Sequence, residues 1–200
     1  MCGRYWLGQG ESVPELQQIL DALQRKKTPE GLKTCGEIFP TDVVPVLAND
    51  RRGGVQPFAM RWGYAFPGGR PIINARAETA ADKPMFRDGI RQRRCLVPAS
   101  SYFEWERKEG GKTKYALRPQ ESEMIYFAGI YHLERYGEVT VPAFAILTRE
   151  AAPEIRFIHE RMPVIIPGER AAEWLSCKEP LPEFLNRTAP QMAFREVKPQ

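Results

Sequence analysis

Seven short segments rich in Val, Ile, Phe, Tyr and Trp, each cut off by glycine, proline or polar turns, constrain this chain more than any other feature. They are EIFPTDVVPVLA, GVQPFAMRWGYAF, PIINARAE, RCLVPASSYFEWE, TKYALRP, MIYFAGIYHLE and TVPAFAILT. Aromatic and β-branched enrichment over such lengths predicts strands. That number predicts an α+β architecture, a mainly antiparallel twisted sheet or partly closed β-barrel with a few flanking helices. Ser12 and Glu15 form a capping box for a helix with Leu16, Ile19, Leu20 and Leu23 on one face. AAPEIRFIHE reads as a short helix begun by Pro153 and blocked by Pro163, and a further helix is expected from about Glu169 to Cys177. At 200 residues and 42% hydrophobic content, one core and one domain over 1–200 are expected, with the tail from about Pro190 loosely held.

Composition removes several function classes. No stretch approaches the ~18 consecutive apolar residues of a membrane span, and MCGRYWLGQG has no apolar run behind a basic leader, so a soluble, cytoplasmic protein is expected. Cys2, Cys35, Cys95 and Cys177 lie far apart without a C-x-x-C pair, and His132 and His159 are the two histidines. Neither a zinc site nor a disulfide framework is expected. Twenty-nine basic against 25 acidic residues give +4, which permits a polyanionic partner without requiring one. Arg51, Arg52, Arg61, Arg70 and Arg76 are interleaved with Trp62, Tyr64 and Phe66, a mixture that suits single-stranded nucleic acid, where phosphates need charge and unstacked bases need a flat surface. Arg87, Arg91, Arg93 and Arg94 read instead as a solvated face.

Four positions carry candidate chemistry. Removal of Met1 would leave Cys2 with a free α-amine and a thiol on adjacent carbons, both with reference pKa values of about 8 and so partly nucleophilic near neutrality. The amine can condense with an aldehyde to a Schiff base, and the thiol can close onto the imine carbon to give a thiazolidine. Taken without its context, a cysteine at position two reads as an incidental residue. Alternation along IINARAE puts Asn74, Arg76 and Glu78 on one face, either a surface strip or the floor of a polar cleft. In YFEWE, Tyr102, Glu104 and Glu106 share a face while Phe103 and Trp105 share the other. Glu104 is then either an exposed strand glutamate or a desolvated acid/base flanked by aromatics. His159, at the end of the expected short helix, is either a capping residue or a protonated donor, and Arg161 can pair with Glu160 or bind phosphate.

MCGR at the start, RWG at 61–63, INARAET at 73–79, RCLVPAS with FEW between 94 and 105, and HERMPVII at 159–166 together resemble the SOS-response-associated peptidase (SRAP) family, also called abasic site processing proteins. The matching blocks run in order over most of the chain. The resemblance implies a compact mixed β fold with a basic channel, acting as a monomer and without a cofactor, and associated with the nucleoid when bound to DNA. It implies binding of single-stranded DNA in the damage response and capture of the abasic-site aldehyde as a covalent DNA–protein crosslink, after enzymatic or autocatalytic loss of Met1. Schiff-base chemistry could also cleave the strand, a lyase activity. Carried over residue by residue, Cys2 is the nucleophile, Asn74 a positioner, Glu104 an acid/base and His159 a proton donor at the sugar. Arg4, Arg76 and Arg161 match phosphate contacts, and Trp62 and Trp105 match aromatic positions near DNA. Alternation turns Trp105 away from Glu104. GEIFPTD and GYAFPGGRP depart from the family pattern, where contacts to flanking nucleotides are expected to differ. Two other classes remain at this stage, a peptidase using Cys2 as N-terminal nucleophile and a reader that merely binds single strands or modified bases.

Overall fold

The computed structural model describes residues 2–10, 13–26, 31–176, 178–186 and 190–198. In chain order the elements are β1 (Arg4–Leu7), α1 (Pro14–Gln24), β2 (Gly36–Ile38), β3 (Val43–Asn49), β4 (Val55–Trp62), β5 (Asn74–Arg76), α2 (Ala77–Ala80), α3 (Pro84–Gln92), β6 (Arg94–Ala99), β7 (Ser101–Lys108), β8 (Gly111–Pro119), β9 (Ile125–Tyr136), β10 (Val139–Glu150), β11 (Arg161–Pro163), β12 (Ile165–Ile166), α4 (Ala171–Leu175), α5 (Leu181–Asn186) and β13 (Met192–Glu196).

β10 organises the first sheet. It pairs antiparallel with β9 and, at Ala143 and Phe144, parallel with β4. Since β4, β3, β6 and β9 also pair in succession, the five strands close into a barrel and leave no edge between them. Where β4 ends, β5 takes its place beside β10, with Ile146 opposite Asn74 and Thr148 opposite Arg76. The second sheet is fully antiparallel, in the order β13, β8, β7, β1, β2.

Strand alternation divides the apolar residues into two clusters. Val44, Val46, Met60, Trp62, Val97, Phe127, Phe144 and Ile146 of the barrel pack with Tyr5, Leu7, Tyr102 and Leu117 of the second sheet. Leu96, Ala128, Ile130, Ala145 and Leu147 face the other way and are covered by Phe86 and Ile90 of α3, Trp174 of α4 and Phe184 of α5. The packing is tight: a Cβ at Gly129 would lie 2.7 Å from Cys95 Sγ, so only glycine lets β9 approach β6 there.

The expected architecture is observed, with local differences. α1 buries Leu16, Ile19, Leu20 and Leu23 as its spacing requires, but its N-cap is Val13, with no side-chain cap bond. Ser12 of the expected capping box lies outside the described residues. AAPEIRFIHE forms only a 3-10 turn at Pro153–Ile155, too short for α-helical hydrogen bonding to propagate. The helix expected from Glu169 reduces to a 3-10 turn at Gly168–Arg170 followed by α4, and Cys177 lies outside the described residues. β4 stops at Trp62 because Gly63 takes φ +107, and a Cβ there would meet Pro71 at 2.9 Å. The tail from Pro190 is not loose throughout, since Met192–Glu196 pair with β8 along their whole length.

The arginine patterns also resolve differently. Arg51 and Arg52 occupy the β3–β4 turn, whereas Arg61 sits near the far end of β4, bonded to Glu134 and Tyr136. Trp62 and Tyr64, with relative exposures of 0% and 1%, belong to the core. The interleaved cluster is therefore not one nucleic-acid surface. Of the second cluster, Arg87, Arg91 and Arg93 are exposed as expected, but Arg94 is buried. Its Nε and Nη2 donate to the carbonyls of Ile90 and Glu179, and its guanidinium lies 4.5 Å from the Trp174 ring.

Candidate active site

Cys2 is fully buried just ahead of β1. Its position is fixed from β5: Asn74 Nδ2 donates to the Cys2 carbonyl at 2.8 Å, while Cys2 Sγ lies 3.7 Å from the Arg4 carbonyl. Asn74 Oδ1 is buried and has no hydrogen-bond partner among the described residues. Trp62 sets this segment in place from behind. Its ring lies 5.2 Å from that of Tyr5 and stacks on Phe144, and its Nε1 donates to the Ile73 carbonyl at 3.1 Å. Full burial and these contacts make Trp62 a scaffold for the residue before Asn74 and not the exposed ring that the sequence pattern suggests.

On β7, alternation turns Tyr102 and Glu104 inward and Trp105 outward, as the sequence predicts. Glu104 is 5% exposed, so the exposed-glutamate reading is wrong. Burial and, after it, the Glu104 charge push the Cys2 thiol well above its ordinary range. The thiol is therefore the resting form at neutral pH, contrary to the partial thiolate that a reference cysteine would offer. Tyr5 and Tyr102 stand opposite one another on β1 and β7, and neither buried hydroxyl has a hydrogen-bond partner among the described residues. Burial, with the nearby Cys2 second, raises both phenols. The sequence reading missed this pair as a functional feature, although Tyr102 shares the face of Glu104 in YFEWE.

His159 and Glu104 open onto one cleft of about 630 Å³, bounded also by Trp105, Lys112, Arg156 and Phe157. His159 follows a turn, not an α-helix, so no helix dipole acts on it. What orients the ring is the Arg161 backbone N–H, which donates to Nδ1 at 2.9 Å. The ring proton then resides on Nε2. Arg161 is held in turn: Nη1 and Nη2 donate to Glu78 at 2.7 and 2.8 Å, and Nη2 also to the Thr148 carbonyl at 2.7 Å. It pairs with Glu78, not with Glu160, and its hydrogen bonds hold the Glu78 carboxyl below the usual range. β5 ends at Arg76, so Glu78 lies on α2 and not on the strand face with Asn74 and Arg76. Arg76 is exposed and lines an adjoining cleft of about 440 Å³ with Glu150, Arg156, Glu160 and Arg161.

Arg4 sits on the outer side of β1, 4.4 Å from the Phe39 ring and 5.5 Å from that of Trp105. It also bonds Glu37 at 3.3 Å. The structure thus joins Cys2 to Asn74 by a hydrogen bond and to Glu104 by charge, and Glu104 to His159 across one cleft. Arg76 lines the adjoining cleft, Arg4 lies on the outer face of β1, and Trp105, though its side chain leaves the opposite face of β7 from Glu104, borders the same cleft. Among the described residues, no three His, Cys, Asp or Glu side chains could hold a metal ion, and no helix is long and apolar enough to cross a membrane.

Known proteins share this sequence pattern and fold. Abasic site processing protein YoaM of Bacillus subtilis is 36% identical over 196 residues, covering 92% of this chain and 83% of the relative. Abasic site processing protein YedK of Escherichia coli is 34% identical over 183 residues, covering 88% and 79%. A solved structure from Bacteroides thetaiotaomicron superposes with TM-score 0.77 at 22% identity, covering 98% of this chain and 92% of that one. The family model described as SOS response associated peptidase (SRAP) matches residues 1–200. The chain therefore belongs to the SRAP family.

Proposed function

We propose that this protein processes abasic sites, binding single-stranded DNA and capturing the ring-opened sugar aldehyde on Cys2 after loss of Met1. The named relatives support abasic-site processing as the general role. One observation carries the finer reading: Asn74 holds the Cys2 carbonyl at 2.8 Å on a buried wall where Glu104 acts electrostatically on the thiol. Two nucleophiles on adjacent carbons, a fixed amide and a buried carboxyl suit aldehyde capture.

In the proposed sequence, His159 Nε2–H gives a proton to the sugar ring oxygen as the bond from that oxygen to the anomeric carbon breaks, and the anomeric hydroxyl loses its proton to solvent, which leaves the open-chain aldehyde. The Cys2 amine adds to that carbon, and loss of one water gives the imine. Sγ then adds to the imine carbon, and the thiol proton ends on nitrogen, closing the thiazolidine. Because the buried thiol rests protonated, Glu104 is needed to move that proton during attack, and to return it when the ring reopens. Asn74 Oδ1 is available to accept from the N–H of the protonated imine or from a sugar hydroxyl. Arg76 is the exposed cation for a phosphate, whereas Arg161 would have to exchange Glu78 for one. If the imine loses a proton from the neighbouring sugar carbon before sulfur closes, β-elimination cleaves the strand. The peptidase name of the family fits removal of Met1 by Cys2 itself.

The test is incubation of mature protein with abasic single-stranded oligonucleotide, followed by a denaturing gel. Wild type should give a heat-resistant adduct, and Cys2→Ala should give none while retaining weak cleavage through its amine. An undiminished adduct in Cys2→Ala would remove sulfur from the mechanism. Absence of any adduct in wild type would remove abasic-site capture.

A further inference from the structure

We propose that the outer face of the second sheet, from Trp105 across to Trp6, Arg118 and Arg195, is an additional binding surface for unpaired nucleotides flanking the captured site. This inference rests on the single-strand reading above. Its own support is geometric. The α-helices with extended strand contacts pack on the barrel, α1 on β3 and β4, α3 on β6 and β9, and α4 on β6, so that among the described residues none of them spreads over this face.

Alternation brings Arg4, Trp6, Phe103, Trp105 and Lys114 to it. Trp6 stands in register with Glu37 on one side and Ser101 on the other, is 43% exposed and stacks on no other ring among the described residues. A large unpartnered indole on an open sheet face exposes apolar area at a cost unless something covers it. The cations around it show what that would be. A cleft of about 340 Å³ is lined by Trp6, Ser101, Arg118, Phe194 and Arg195. A second, of about 690 Å³, runs from Trp6 past Phe103 and Lys114 to Trp105 and also contains Lys112 and Lys198.

Two acids face the same clefts. Glu37 accepts from both Arg4 and Lys114, at 3.3 and 2.9 Å, so its charge is already met. That leaves Glu196 against Lys112, Lys198, Arg118 and Arg195, a net positive strip punctuated by flat rings. Such a strip matches the alternating phosphates and bases of a single strand.

The strip is continuous with the candidate active site. Trp105 bounds both the Glu104 and His159 cleft and the Lys114 cleft, and Trp6 bounds both the Lys114 cleft and the Arg118 cleft. Ser101 and Trp105 are four residues apart on β7, roughly 14 Å at about 3.4 Å per residue. A few nucleotides would span that distance.

The experiment compares wild type, Trp6→Ala, Trp6→Phe and Arg118→Ala by two readouts. The first is anisotropy with undamaged single strands of increasing length. The second is the rate of adduct formation, at subsaturating DNA, with short oligonucleotides and with ones extended on the 5′ or the 3′ side of the abasic site. Trp6→Ala should weaken binding of long strands by at least about fivefold, the lower bound for one base stacked on an aromatic ring. Trp6→Phe should restore most of it, and Arg118→Ala should lower the salt slope by about 0.7. All variants should react like wild type with the shortest abasic oligonucleotide, and the rate loss should be confined to extension on one side. Equal affinities of Trp6→Ala and wild type for every length would overturn the surface even if the adduct forms normally. A wild type that binds long strands through Trp6 yet makes no adduct would retain the surface and reject the capture chemistry.

Discussion

The two faces of the second sheet alternate residue by residue, yet they are built for opposite environments. Inward, Tyr5, Tyr102 and Glu104 surround Cys2 at exposures of 0% to 5%. There a charge or hydroxyl is costly unless it is used, because desolvation is not offset by water. Outward, Arg4, Lys114 and Glu37 form ion pairs with distances of 2.9 to 3.3 Å and side-chain exposures of 23% to 40%. Partial burial pushes the Glu37 carboxyl up, but bonding and charge from Lys114 and Arg4 outweigh this and hold it below the usual range. Glu104 and Trp105, neighbours in sequence, thus meet different surroundings: one acts by its charge on the buried Cys2 thiol, and the other lies between the cations of Arg4 and Lys114.

Substitutions can break this contrast. The largest expected effect is on the inward side, from Trp62→Ala, which removes an indole with 0% exposure and its bond to Ile73. It should cost about 3 to 5 kcal/mol in urea unfolding, whereas retained stability would show that Trp62 is not the scaffold for Asn74. Next, Glu104→Gln keeps the shape of the side chain and loses proton exchange. Adduct formation and release should each slow by about 100-fold, or ~2.7 kcal/mol of barrier, followed as time courses with an excess of competitor in the release arm. A change below about twofold in both rates would make Glu104 structural.

A buried-edge network gives a third, pH-dependent expectation. Partial burial pushes Glu134 up, but bonds from Tyr136, His132, the Ala65 N–H and Arg61 outweigh it and lower its pKa to about 2. A carboxylate depressed by folding contributes stability that is fully present above its unfolded pKa of roughly 4.3 and is lost as pH falls through the folded value. Glu134→Gln should therefore cost about 2 kcal/mol at neutral pH and flatten the fall in stability between about pH 4.5 and 2. An unchanged acid profile would contradict the network. The smallest effect belongs to the outward face. Lys114→Ala removes a partly buried ion pair, after which Arg4 still meets the Glu37 charge, and should change unfolding free energy by about 1 kcal/mol or less.

Much of this was legible in the sequence. Period-two patterning placed most of the strands and sorted Glu104 from Trp105, because alternation is a property of the backbone itself. The ordered motifs marked Cys2, Asn74, Glu104 and His159. What escaped was decided by tertiary neighbours. Trp62 sits in a run of cations and rings that resembles a DNA surface, and only closure of the barrel reveals that it is fully buried. Strand alternation assigned Glu78 to β5, but the chain turns into α2 at Ala77 and delivers it to Arg161 instead. The raised thiol of Cys2 depends on burial and on Glu104, 102 positions away in sequence, which a reference pKa cannot include. β1 and β13 were missed because four- and five-residue strands carry little periodic signal by themselves.

The central claim is that one residue supplies both nucleophiles, and intact-mass analysis of the adduct tests it most directly. After reaction with an abasic single strand, the account predicts a species equal to the chain without Met1 plus the whole oligonucleotide less one water. Imine formation expels that water, and closure by Sγ changes no mass. The same species should resist borohydride, which reduces an imine but not a thiazolidine. An adduct that retains Met1, or one that borohydride reduces, would contradict the account.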